Sequence, residues 1–151
     1  MHGLSNELRA QDFLNVEMEC MSKIWPEMLL SKQSLTIELC CGQGRSFQYL
    51  LNHVTRRLIG QDLRPDYLLA AWQLAFSIQL QHMIHELIPC CLTKLAFREG
   101  EVINLAIGFG VLGYINDQDI GPLFYTLLQA RCRRVLVRES YEPEVSTKDE
   151  D

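Results

Sequence analysis

Glu38, the Gly42-Gln43-Gly44 turn and Asp62 are the residues whose types and spacing point most directly to chemistry. The turn follows the short apolar run LTIEL, and a segment with helical spacing follows it at once. A strand that turns through glycines into a helix brings backbone N–H groups and the positive end of a helix to one point. Glu38 stands just before that turn. A carboxylate there suits a ligand carrying an amine or hydroxyls and repels a pyrophosphate. Asp62 closes the next apolar run, RRLIGQ, about 20 residues beyond the glycines, where an acid can offer two acceptors to a ribose diol.

Other groupings carry less. His82-x-x-His85, if helical, sets two imidazoles on one face as a metal pair does. No acid or cysteine set completes it, and a solvated or capping pair is the reading adopted. Six cysteines occur, among them Cys40-Cys41 and Cys90-Cys91, and neither pair has CxxC spacing. The expectation is buried, reduced thiols with no disulfide and no bound metal, as in a cytoplasmic or nuclear protein. Arg131, Arg133 and Arg134 fit charge balance at a helix end. No Gly-x-x-x-x-Gly-Lys-Ser/Thr element supports nucleotide hydrolysis.

The elements that must position these groups alternate. Apolar spacing predicts helices over 7–30, with a kink at Pro26, and over 46–52, 66–85 and 117–131. In the last of these, Gly121-Pro122 is expected to delay or bend the start. Strands are predicted over 35–39, 57–61, 87–92, 102–107 and 133–138. Pro89 marks the third strand as an edge strand, because proline cannot donate to a central ladder. Residues 142–151 form an acidic tail that reads as disordered. At 151 residues and a net charge of −5, the chain suits one globular domain and does not favour a general nucleic-acid binder. No apolar run is long enough for a membrane span and no secretory leader is evident. Strands alternating with helices imply a parallel sheet covered on both faces, with its ligand beyond the carboxyl ends of the strands.

The stretch ELCCGQGR resembles the first motif of class I S-adenosylmethionine-dependent methyltransferases, acid-x-Gly-x-Gly-x-Gly. The pattern is nearest to the protein alpha-N-terminal methyltransferases. In that family an Arg follows the last glycine and pairs with the methionine carboxylate of the cofactor, and Arg45 matches it. Asp62-Leu63-Arg64-Pro65-Asp66-Tyr67-Leu68 is similar to the second motif, which makes Asp62 the ribose-binding acid with Leu63 beside it. Pro89-Cys90-Cys91-Leu92-Thr93 resembles the third stretch and implies that Leu92 and Thr93 flank the adenine. The segment 111–118 resembles the fourth, in which Tyr114 takes the place of the catalytic His. The resemblance covers about 35–139.

It implies S-adenosylmethionine as cofactor, with Glu38, Gly42, Gly44, Arg45, Asp62, Leu63, Leu92, Thr93 and Phe109 holding it and no metal. Tyr114 and Glu139 are the catalytic candidates, and either could hydrogen-bond or deprotonate an amine. It implies a three-layer Rossmann-like α/β fold with a mostly parallel five-stranded sheet in the order 3-2-1-4-5. The departures are Cys40 in place of the first glycine, Ile107-Gly108-Phe109-Gly110 in place of Trp-x-Gln-Trp, and the two last antiparallel strands usual in this fold, which are missing. The organisation expected is an N-terminal helical segment over 1–34, a methyltransferase-like domain over 35–141 and the tail.

Two functions follow: a methyltransferase acting on a protein amine, or a non-catalytic methyltransferase-like interaction module. A dinucleotide-binding domain is disfavoured, since no third glycine stands at the required offset. A protein substrate or partner is expected, and so is association through the exposed edge of the fifth strand.

Overall fold

The computed structural model describes residues 34–139 and, ahead of them, Val16, Glu19, Cys20, Ser22 and Lys23, which are helical. The remainder of the predicted 7–30 helix, and the tail over 142–151, lie outside the described residues. The elements are β1 (Leu35–Leu39), α1 (Phe47–His53), β2 (Arg57–Asp62), α2 (Pro65–Ser77), β3 (Ile84–Pro89), β4 (Leu105–Phe109), α3 (Asp117–Gln129) and β5 (Val135–Arg138). The five strands form one sheet in the order β3-β2-β1-β4-β5, and every pairing is parallel.

β1 lies at the centre and all five of its residues are buried. Strand alternation splits its side chains between the two faces. Leu35, Ile37 and Leu39 join Leu123 and Leu127 of α3 in one core. The opposite face of the sheet packs on Phe47 and Leu50 of α1 and on Leu68 and Ala71 of α2. Burying each of these leucine, isoleucine and phenylalanine side chains contributes about 1.5–3 kcal/mol, which anchors both helix layers to the strand that leads into the glycine turn.

Helix α2 stops at Ser77, eight residues short of the predicted end. Gln79 takes a left-handed φ of 60°, and the Leu80 N–H returns to the Ala75 carbonyl at 2.9 Å. That is a Schellman-type stop, built here without the usual glycine. Consequently β3 begins at Ile84, earlier than the predicted 87–92. The strand stays at the sheet edge, and Pro89 closes it opposite Asp62. His82 falls in a 3-10 turn and His85 in β3, so the two do not share a helix face. His85 instead meets Glu101 at 2.9 Å. Among the described residues, no cluster of three or more His, Cys, Asp or Glu could hold a metal.

Strand β4 is shifted towards Phe109 relative to the predicted 102–107. Ile103 is fully buried, but its N–H goes to the Ala130 carbonyl at 2.9 Å, outside the ladder. Apolar character marked burial there and not pairing. β5 starts at Val135, after Arg133 and Arg134. α3 starts at Asp117 and runs through Gly121-Pro122 without delay, and Arg131 ends it with a φ of 57°. Among the described residues no helix is long and apolar enough to cross a membrane.

Candidate functional site

The chain leaves β1 through Cys40, whose φ of 52° is left-handed, and Gly42, at 56°, repeats that conformation. A left-handed φ costs an ordinary residue about 1–2 kcal/mol, so Cys40 carries strain where the resembled motif has glycine. Three interactions tie the turn to β2. The Cys41 N–H donates to the Gln61 carbonyl at 2.8 Å. The Cys40 N–H donates to Gln61 Oε1 at 2.9 Å. The Gly42 N–H donates to Asp62 Oδ2 at 2.9 Å. Gln61 Nε2 reaches on to the Cys90 carbonyl beyond β3. Gln61 is 1 % exposed and links the ends of three strands. Sequence reasoning missed it, although a polar residue inside the run RLIGQD was the available signal.

The two glycines of the turn differ in what surrounds them. A Cβ on Gly42 would meet nothing within 4 Å, because this residue opens onto a cleft. A Cβ on Gly44 would lie 2.9 Å from the Ala71 side chain and 3.0 Å from Phe47. Gly44 therefore lets α1 and α2 approach each other and does not face the cleft.

The cleft has a volume of about 740 Å³ and lies beyond the carboxyl ends of β1 to β4. Cys40 and Gly42 line it from the first strand. Gln61, Asp62, Leu63, Arg64 and Tyr67 line it from the second, and Cys91, Leu92 and Thr93 from the third. Phe109, Tyr114, Ile115, Asn116 and Asp119 complete it from the fourth. Of the predicted residues, the fold thus gathers Gly42, Asp62, Leu63, Leu92, Thr93, Phe109 and Tyr114 into one cavity.

Four predicted residues lie outside its lining. Gly44 is buried between the helices. Arg45 is exposed on the turn that leads into α1. Glu38 is 3 % exposed beneath the turn, and its Oε1 accepts the Ser46 hydroxyl. Glu139 is exposed, and its Oε1 accepts the Leu112 N–H at 2.9 Å. That bond ties the end of β5 to the 3-10 turn Leu112–Tyr114. Glu139 thereby holds the segment that carries Tyr114. Tyr114 itself is 83 % exposed at the mouth of the cleft.

The electrostatics divide along the same lines. Burial pushes Glu38 up to about 8, with the Ser46 hydrogen bond working against the rise and the Asp62 charge adding to it. Burial, and then the charge of Asp62, push Cys40 up to about 11, so its thiol in the cleft is neutral. Cys91 is lowered, chiefly by its contact with the Thr93 hydroxyl at 3.2 Å. Arg64 lies over the Tyr67 ring at 4.0 Å and bonds Asp66 through two nitrogens. That clamp sets the wall of the cleft where α2 begins. Among the described residues, Asp62 and Asp119 are the acidic groups lining the cleft and Arg64 is the basic one.

No family model matches the chain, and no curated protein matches it in sequence. Solved structures do match in shape. Streptomyces venezuelae DesVI superposes with a TM-score of 0.66 at 17 % identity, over 91 % of this chain and 55 % of that one. Haemonchus contortus phosphoethanolamine N-methyltransferase 1, solved with phosphoethanolamine and S-adenosylhomocysteine, gives 0.62 at 16 % identity, over 74 % of this chain and 23 % of that one. A Clostridium acetobutylicum S-adenosylmethionine-dependent methyltransferase gives 0.57 at 18 %, over 78 % and 43 %. The chain therefore spans from under a quarter to just over half of these proteins. At such identities the likeness is one of fold, and the fold is the Rossmann-like methyltransferase fold in the predicted strand order.

Proposed function

We propose that the chain binds S-adenosylmethionine in the cleft beyond β1 to β4 and transfers its methyl group to an amine. The observation that carries the reading is the pairing of Gly42 with Asp62. An open Cα position and a carboxylate stand side by side where the sheet order reverses between β1 and β4. A glycine whose Cβ would fill a cradle, beside an acid able to accept from a ribose diol, fits a nucleoside. Leu63, Leu92 and Phe109 offer apolar surface for an adenine, and Thr93 offers a hydroxyl.

The cofactor supplies an electrophilic methyl group, so the protein need only hold the acceptor in line and let its proton leave. Asp119 and Asn116 lie on the wall formed after β4, with Tyr114 at the mouth. A carboxylate and an amide favour a cationic or amine acceptor there. The Tyr114 hydroxyl, open to water, can accept a hydrogen bond from that amine. The resemblance of 111–118 to the alpha-N-terminal methyltransferases favours a protein amine as the acceptor.

Calorimetric titration with S-adenosylhomocysteine tests the cofactor. Binding with micromolar affinity is expected. No heat and no thermal shift at millimolar ligand would overturn the reading. A second reading, a cofactor-binding module without catalysis, is favoured by two observations: Tyr114 is 83 % exposed and Glu139 is tied to Leu112. Binding of the cofactor with no methyl transfer to any amine-terminated peptide would select it.

A further inference from the structure

We infer that Glu38 is a proton-linked charge sensor beneath the cleft, neutral in the ligand-free protein and ionised when a cationic ligand enters. The inference rests on the cofactor reading above and names how that site responds to charge.

The geometry is unusual for a carboxylate. Glu38 lies in the central strand, level with Gly60 of β2 and Ile107 of β4. It is 3 % exposed. Ser46 donates to Oε1, while Oε2 is buried and finds no hydrogen-bond partner among the described residues. In such surroundings an ionised carboxylate with an unpaired oxygen is disfavoured against a protonated one. Among the described residues no cation acts on it. The inward faces of α1 and α2 carry Phe47, Leu50, Leu68 and Ala71. β4 carries Ile107. The turn adds the Cys40 and Cys41 thiols, and β2 adds Asp62, a negative charge that favours the proton further.

Asp62 is also the route by which the cleft reaches Glu38. It lines the cleft, and its charge is felt at the buried carboxyl. A positive charge placed beside Asp62 acts on Glu38 with the opposite sign. S-adenosylmethionine carries an ammonium, a carboxylate and a sulfonium, one net positive charge. S-adenosylhomocysteine has lost the sulfonium charge and is net neutral. Entry of the donor therefore drives the Glu38 proton out to solvent, and loss of the methyl group allows a proton to return. The buried acid thereby distinguishes the charged donor from the neutral product.

Calorimetry at about pH 7 in buffers of different ionisation enthalpy counts the protons released on binding. Release of more than half a proton is expected with S-adenosylmethionine, less with S-adenosylhomocysteine and none with Glu38→Gln. Binding heat without proton release in the wild type, or equal release in Glu38→Gln, would overturn the inference. Infrared difference spectra of the ligand-free wild type give a second readout, and a protonated-carboxyl carbonyl band near neutral pH is expected. Its absence would overturn the inference whatever the variant does. If the band is present but no ligand binds, the cofactor reading fails while the proton assignment to Glu38 stands.

Discussion

Asp62 Oδ2 accepts the Gly42 N–H at 2.9 Å, and Asp62 Oδ1 accepts the Arg64 N–H at the same distance. One carboxylate thus fixes both the glycine turn after β1 and the start of α2. Each oxygen keeps a further lone pair for a ligand.

Asp62→Ala is expected to weaken binding of S-adenosylhomocysteine by about 1–3 kcal/mol, through loss of charge-assisted hydrogen bonds and loosening of the turn. Titration calorimetry measures it. Unchanged affinity in a folded variant would remove Asp62 from the site.

The two motif glycines should separate stability from binding. Gly44→Ala places a methyl group 2.9 Å from the Ala71 side chain, at a φ of 77°. It is expected to destabilise the fold by about 2–4 kcal/mol, the sum of overpacking and backbone strain. Gly42→Ala meets no neighbour and should cost only the strain, about 1–2 kcal/mol, yet its methyl group should impair ligand binding. Urea unfolding and calorimetry on the two variants check both halves.

Stability should fall as pH rises across the titration of Glu38. The native carboxyl keeps its proton to about 8, whereas the unfolded one releases it near 4.5. Between those values the unfolded state binds fewer protons, so raising the pH favours it. The contribution is present in full below the lower value and lost above the higher one. In Glu38→Gln this slope should vanish. The urea midpoint of the variant, minus that of the wild type, should therefore climb from pH ~5 to ~9, by an amount worth a few kcal/mol at about 1.4 kcal/mol per unit. A flat difference would show that Glu38 is not the titrating group.

Gln79 ends α2 in a left-handed conformation on an exposed position. Gln79→Gly is expected to stabilise the protein by up to about 1 kcal/mol, because glycine adopts that φ freely. A thermal melt showing no gain would mean that the unfolded-state entropy of glycine offsets the relief.

β5 is an edge strand, and in its parallel ladder with β4 the Val135 and Val137 backbone groups alternate outwards. Among the described residues no strand lies beside them. Association by strand addition is expected, and light scattering at micromolar concentration should give a mass above that of the monomer. Val137→Pro removes an outward N–H and no ladder bond, so it should restore the monomer without unfolding the sheet. A wild-type monomer would refute association of copies through this edge.

The sequence by itself determined the identity and order of the central elements. β1, its glycine turn and Asp62 were legible because buried strands are written as apolar runs and sharp turns as glycines. The period of apolar residues could not show where α2 ends, since β3 is also apolar and the stop residue is Gln79. Nor could it separate Gly42 from Gly44, or Glu38 from Asp62. The glycines share a residue type and the two acids share a carboxylate, and within each pair the fold decides what packs against each member. Gly42 opens onto the cleft while Gly44 touches Ala71. Asp62 lines the cleft while Glu38 is buried and stands outside its lining. Gln61, which ties the carboxyl ends of β1 and β3 to its own strand, became visible only when parallel pairing brought those ends together. Local sequence specifies a residue's chemistry and its element, whereas exposure and partners depend on contacts between residues distant in the chain, which tertiary packing alone decides.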